Sequence, residues 1–169
     1  MYIPEIPNNI LKEEITQIVE LSKKLEDEGY YFDYDPPATE EELSSWEKEN
    51  NIKIPESLKD WLRFSSYSNI RSELAIINGV EDFKIDCELV PDDMVIIGEV
   101  IGDGEFIGFS RKTGKILWED HGNIEYYNDF NELLKEIIDM MQGKTGLSET
   151  SINILEALAK KARERKNND

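Results

Sequence analysis

A single cysteine, Cys87, and a single histidine, His121, are all that 169 residues supply of the side chains most used for redox chemistry and for proton transfer near neutral pH. One cysteine excludes an intramolecular disulfide and any cysteine-rich metal site, and it agrees with a reducing compartment. No HExxH, CxxC, GxSxG or P-loop pattern occurs. No stretch approaches the roughly 18 apolar residues of a membrane helix. Met1 to Pro7 has neither the basic nor the apolar region of a secretory leader, so the expected location is the cytoplasm.

Positive charge is scarce as well. Lysine and arginine number 19 against 37 acidic residues, a formal net charge of -18. From Glu156 onward five bases meet three acids, so the preceding segment holds 34 acids against 14 bases. Such a field repels nucleic acid and anionic membranes and speeds encounter with a basic partner. Its plainer reading is solubility alone. The length suits one domain, and the 39% hydrophobic fraction can supply one core.

Along the chain, Asn8 or Asn9 can cap a first helix reaching about Glu28, with Leu11, Ile15, Ile18 and Leu25 on one stripe and Gly29 at its end. Thr39-Glu40-Glu41-Glu42 is a capping box, opening a helix that buries Leu43 and Trp46 and breaks at Asn50-Asn51. Pro55 starts a third helix, carrying Leu58, Trp61, Leu62 and Phe64 inward. Leu74 to Ile77 reads as a strand, Phe83 to Leu89 as extended, and Met94 to Ile101 as a valine- and isoleucine-rich strand. Asp103-Gly104 suits a two-residue type I′ turn before a strand over Phe106 to Ser110. Arg111 to Gly114 turns into a strand over Lys115 to Glu119. A helix follows directly, from about Asn128 to Met141, and another over Ser148 to Arg165. Helices, then antiparallel strands, then helices make an α+β fold, a β-meander with helices packed on one face and helices at both ends. The domain is expected over 1–143, with a helical extension over 144–169.

Little of this carries catalytic chemistry. Glu119-Asp120-His121 could bind a metal or move a proton, but it stands at a strand end beside a glycine, where turn histidines are common. Gly102 to Glu105 leads into a strand and not a helix, so it is a hairpin and no phosphate cradle. Asp92-Asp93 and Glu81-Asp82 lack calcium-loop spacing. Cys87 reads as a small buried apolar residue. No cofactor, no metal and no catalytic residue is expected.

Pro36-Pro37-Ala38-Thr39-Glu40-Glu41-Glu42-Leu43, Trp46-Glu47, and Ile52-Lys53-Ile54-Pro55 through Trp61-Leu62 resemble the opening of an SMI1/KNR4 (SUKH) domain. Ile101-Gly102-Asp103-Gly104-Glu105-Phe106, Thr113-Gly114-Lys115-Ile116-Leu117-Trp118-Glu119-Asp120-His121 and Phe130-Asn131-Glu132-Leu133-Leu134 are similar to its later motifs, so the resemblance covers roughly Asp35 to Met141. Ser65-Ser66-Tyr67-Ser68-Asn69 stands where that family usually has Asn-Gly-Gly. The resemblance implies an α+β fold and, in bacteria, an immunity protein that binds and neutralises a cognate toxin domain, often a nuclease. In fungi, relatives act in cell-wall synthesis and signalling, so a non-catalytic scaffold is the alternative.

Hairpin geometry sharpens the expectation. A two-residue turn sets Ile101 opposite Phe106 and Val100 opposite Ile107. A four-residue turn at Arg111 to Gly114 sets Phe109 opposite Ile116 and Ile107 opposite Trp118. Val100, Ile107, Phe109, Ile116 and Trp118 then line a core face. Glu99, Ile101, Phe106, Leu117 and Glu119 line the other, which mixes apolar anchors with carboxylates as an interface with a basic toxin would. With Asp103, Glu105, Asp120 and His121 at its end, this is the expected partner-binding surface. The alternative is that the C-terminal helix covers it and hides Phe106 and Leu117.

Overall fold

The computed structural model describes residues 1–100 and 104–143. The helix expected over 148–165, with Ile101 and Asp103, lies outside the described residues.

Helix α1 (Lys12–Asp27) forms where the spacing predicts it, burying Leu11, Ile15, Ile18 and Leu25. Asn9 acts just ahead of it, its Oδ1 accepting from the Leu11 N–H at 3.0 Å. The capping box of α2 (Glu40–Asn50) is complete, and left-handed Asn51 ends that helix at φ 52°. Ile52 and Ile54 turn inward on the link, and α3 (Glu56–Leu62) buries Leu58, Trp61 and Leu62.

Seven strands succeed one another as an antiparallel meander in chain order. They are β1 (Asp33–Tyr34), β2 (Ser68–Ile70), β3 (Ala75–Ile77), β4 (Met94–Val100), β5 (Glu105–Ser110), β6 (Ile116–Asp120) and β7 (Asn123–Tyr127); α4 (Phe130–Met141) closes the described chain. The helices pack on one sheet face, where Val95, Val100, Ile107, Phe109 and Ile116 join the main core. The fold is α+β, as expected.

Three strands escape the sequence reading. β1 and β2 are too short to show a period, and β7, placed where the chain was expected to run on to α4, is mostly exposed, with only Ile124 and Tyr127 half-buried. The segment 83–89, expected to be extended, makes one bridge, Lys84 with Ile96, and then breaks at Asp86, which is left-handed at φ 61°. At Ser65 to Asn69, where the SMI1/KNR4 pattern usually has Asn-Gly-Gly, the buried Ser65 hydroxyl donates to the Asp35 carbonyl at 3.0 Å and also to the Tyr67 carbonyl. The left-handed residues come later, at Arg71, Ser72 and Glu73.

The β4–β5 register also differs. Val100 pairs with Glu105 where Ile107 was expected, and Glu99 pairs with Phe106, a shift of two residues along β5. A bulge between Ile96 and Gly98 accompanies this pairing. Backbone packs closely along these strands: Gly98 lies where a Cβ would meet the Ile76 carbonyl oxygen of β3 at 1.9 Å, and Gly108 where one would meet the Val95 carbonyl oxygen of β4 at 2.2 Å. Up to the bulge the change preserves parity, so Val100 and Glu99 keep their faces; beyond it Met94 and Ile96 turn to the face away from the helices. Phe109 opposite Ile116 and Ile107 opposite Trp118 are as expected. Gly98→Ala is expected to destabilise the domain by about 3 kcal/mol, the upper end of overpacking penalties, because the obstacle is backbone and no rotamer relieves it. A urea midpoint within error of the wild type would refute this.

Candidate functional site

The sheet face away from the helices has two parts. At one end Val90, Met94, Ile96 and Leu117 make a small second core, with Cys87, Phe106 and Ile124 packed against it. Much of the cover for this end is therefore the segment Cys87 to Val90. Leu117 is 1% exposed and cannot anchor a partner, a correction to the expected surface. Cys87 is half-buried against this cluster.

Beside it runs one unbroken register row: Asp33, Asn69, Ile76, Glu99, Phe106, Glu119 and Ile124 are successive cross-strand partners from β1 to β7. At about 4.8 Å per strand the row is about 29 Å long. From Ile76 to Ile124 it alternates apolar and acidic side chains. Ile76, Glu99, Phe106 and Ile124 are half-buried, whereas Glu119 is 6% exposed and accepts from the Gly122 N–H at 2.5 Å. Among the described residues, Asp33, Glu99 and Glu119 form no ion pair with lysine or arginine. The bases work elsewhere: Arg63 holds Glu40, Glu56 and Asp60 within 2.9 Å, Lys59 holds Glu47 at 2.9 Å, and Arg111 holds Asp86 at 2.7 Å.

The sheet end past β6 is acidic as well. Burial, then the neighbouring Glu125 and Asp139, push the Glu136 carboxyl above its ordinary value. Burial and a hydrogen bond to Glu125 push the Tyr127 phenol up.

Glu105 belongs to the other face. It shares the core side with Ile107 and accepts from the Trp118 indole N–H at 2.8 Å, and that facing removes it from the expected binding surface. His121 and Gly122 form the two-residue turn between Asp120 and Asn123, both left-handed at φ 48° and 95°, as a type I′ turn requires. There His121 Nδ1 lies 2.9 Å from Asp120 Oδ1. The expected triplet is thus split. Glu119 joins the open face, while Asp120 and His121 stand with Glu105, one donor atom of each lying within 4.8 Å of the others.

The sequence pattern of the SMI1 / KNR4 family (SUKH-1) matches residues 37–136, from just before α2 into α4. This chain belongs to the SMI1/KNR4 family. No curated protein matches it. In this SMI1/KNR4 protein the row from Asn69 to Ile124 falls inside the family region, whereas α1 and Asp33 fall before it. Sequence reasoning put Glu99, Phe106 and Glu119 on one sheet face, as the register does, and did not place Asn69, Ile76 and Ile124 beside them. For Ile124 a signal existed, because His-Gly followed by an isoleucine two residues on is a turn into a strand.

Proposed function

We propose that this SMI1/KNR4 protein is an immunity protein that binds a cognate toxin domain through the open sheet face and neutralises it by occlusion, with no catalysis of its own. The observation carrying this reading is the row from Ile76 to Ile124, where half-buried Ile76, Phe106 and Ile124 flank the half-buried Glu99 carboxylate and the more deeply set Glu119, neither of them paired with a lysine or arginine among the described residues. Half-buried apolar groups supply the contact area, and the acids choose a basic partner. The net charge of -18 acts at longer range, speeding encounter and repelling nucleic acid and anionic membranes. A basic nuclease surface fits both features. No helix of the described residues is long and apolar enough to cross a membrane.

Co-expression with toxin domains drawn from the neighbouring genes tests this reading. Growth is expected to be rescued, and the complex to weaken by at least tenfold as ionic strength rises from about 0.1 to 0.5 M, since screening shortens the reach of the field. A folded chain that leaves the cells unprotected would favour a scaffold whose partner is no toxin.

A further inference from the structure

We propose that Glu105, Asp120 and His121 bind a divalent first-row transition ion of the Zn²⁺ type at the end of the β5–β6 hairpin. The chain holds 37 acidic residues and one histidine, yet one place among the described residues gathers an imidazole and two carboxylates with donor atoms within 4.8 Å of one another. Zinc takes nitrogen and carboxylate oxygen at about 2.0 to 2.2 Å, so its donors stand about 3.5 Å apart. Closing the gap requires movement of about an ångström. The Asp120 and His121 side chains, 53% and 60% exposed on the turn, have room to rotate by that much.

Two further observations distinguish this corner from an ordinary acidic surface. Glu105 is buried and its carboxylate is oriented by the Trp118 indole N–H at 2.8 Å, the kind of outer hydrogen bond that holds metal-binding carboxylates in place. The imidazole also leans toward β5: His121 Nε2 lies 4.0 Å from where a Cβ on Gly104 would stand, next to Glu105 in the chain. The left-handed turn at His121 and Gly122 produces this approach, since it folds residue 121 back over the hairpin end. A mixed nitrogen and oxygen set prefers zinc, nickel or cobalt to calcium or magnesium, which seek oxygen alone. Three protein donors leave coordination positions for water or a partner's side chain. The site stands on this geometry and does not depend on the immunity reading.

Calorimetric titration of the untagged full chain with ZnCl₂ tests the proposal. One ion per chain is expected to bind, with His121→Ala and Glu105→Gln each weakening it at least tenfold. Trp118→Phe, which removes only the orienting bond, is expected to weaken it by about tenfold. Asp120→Asn, at an exposed position, serves where circular dichroism shows that Glu105→Gln has not folded. Ni²⁺ is expected to quench part of the tryptophan fluorescence, and that part to vanish in Trp118→Phe. Cys87→Ser is expected to bind as the wild type does, and CaCl₂ to give no one-to-one heat. Absence of one-to-one zinc binding, binding that His121→Ala leaves within twofold, or its loss in Cys87→Ser would each overturn the proposal.

Discussion

Phe106→Arg is expected to weaken capture of a basic partner by at least a hundredfold, in the range of lost interface hot spots, while shifting unfolding free energy by no more than about 1 kcal/mol. Phe106 is the aromatic member of the open row, and its cross-strand partners are Glu99 and Glu119. An arginine there meets a carboxylate on either side, an arrangement that antiparallel neighbours favour. The same change removes the apolar anchor and cancels part of the charge that would select the partner. Phe106→Glu is the less informative variant, because it sets a third carboxylate between two others and invites misfolding by repulsion. Affinity of the folded Phe106→Arg chain for its toxin, measured at fixed salt, decides the matter. An unchanged value would remove this face from the binding reaction.

Trp61→Ala is expected to cost about 3 to 5 kcal/mol, a large part of the 5 to 15 kcal/mol that holds a typical domain. Trp61 on α3 is fully buried and lies at the crossing of elements distant in sequence. Its ring stands 5.4 Å from Phe64 edge to face and 6.0 Å from Phe130 of α4. Removing it opens a void where α3 meets α4, and the surrounding helices cannot close over it without losing their contact with the sheet. The indole N–H has no hydrogen-bond partner among the described residues. Trp61→Phe gives up that unsatisfied donor with part of the ring and is therefore expected to be much milder, within about 2 kcal/mol. Chemical denaturation of both variants checks the order. Equal losses would mean that ring volume is not what this position contributes.

Much of the architecture is legible in single segments. The capping box at Thr39 to Glu42, the inward stripe of α1, the apolar face of α4 and the valine-rich β4 are each specified within a dozen residues, because period and capping are local properties. The alternation in β5 and β6 likewise assigned both sheet faces. β1 and β2, two and three residues long, had no period to show, and in β7 only Ile124 and Tyr127 are half-buried, three residues apart and against different clusters, so no alternation shows.

The candidate site divides along the same line. Sequence pattern placed Glu99, Phe106 and Glu119 together and placed His121 at a turn, since each follows from alternation or turn chemistry. Pattern also put Leu117 and Glu105 on the partner surface. Tertiary structure withdrew them, Leu117 beneath the Cys87 to Val90 segment and Glu105 against Trp118 on the other face. The register of β4 on β5 is shifted by two residues from the one the turn dipeptide suggested, and a bulge between Ile96 and Gly98 interrupts it. Fold class, core stripes and charge are thus written in local order and composition. Which residues share one open row depends on strand pairing over up to 36 positions of chain, as between Asp33 and Asn69, and only packing of the whole sheet settles that.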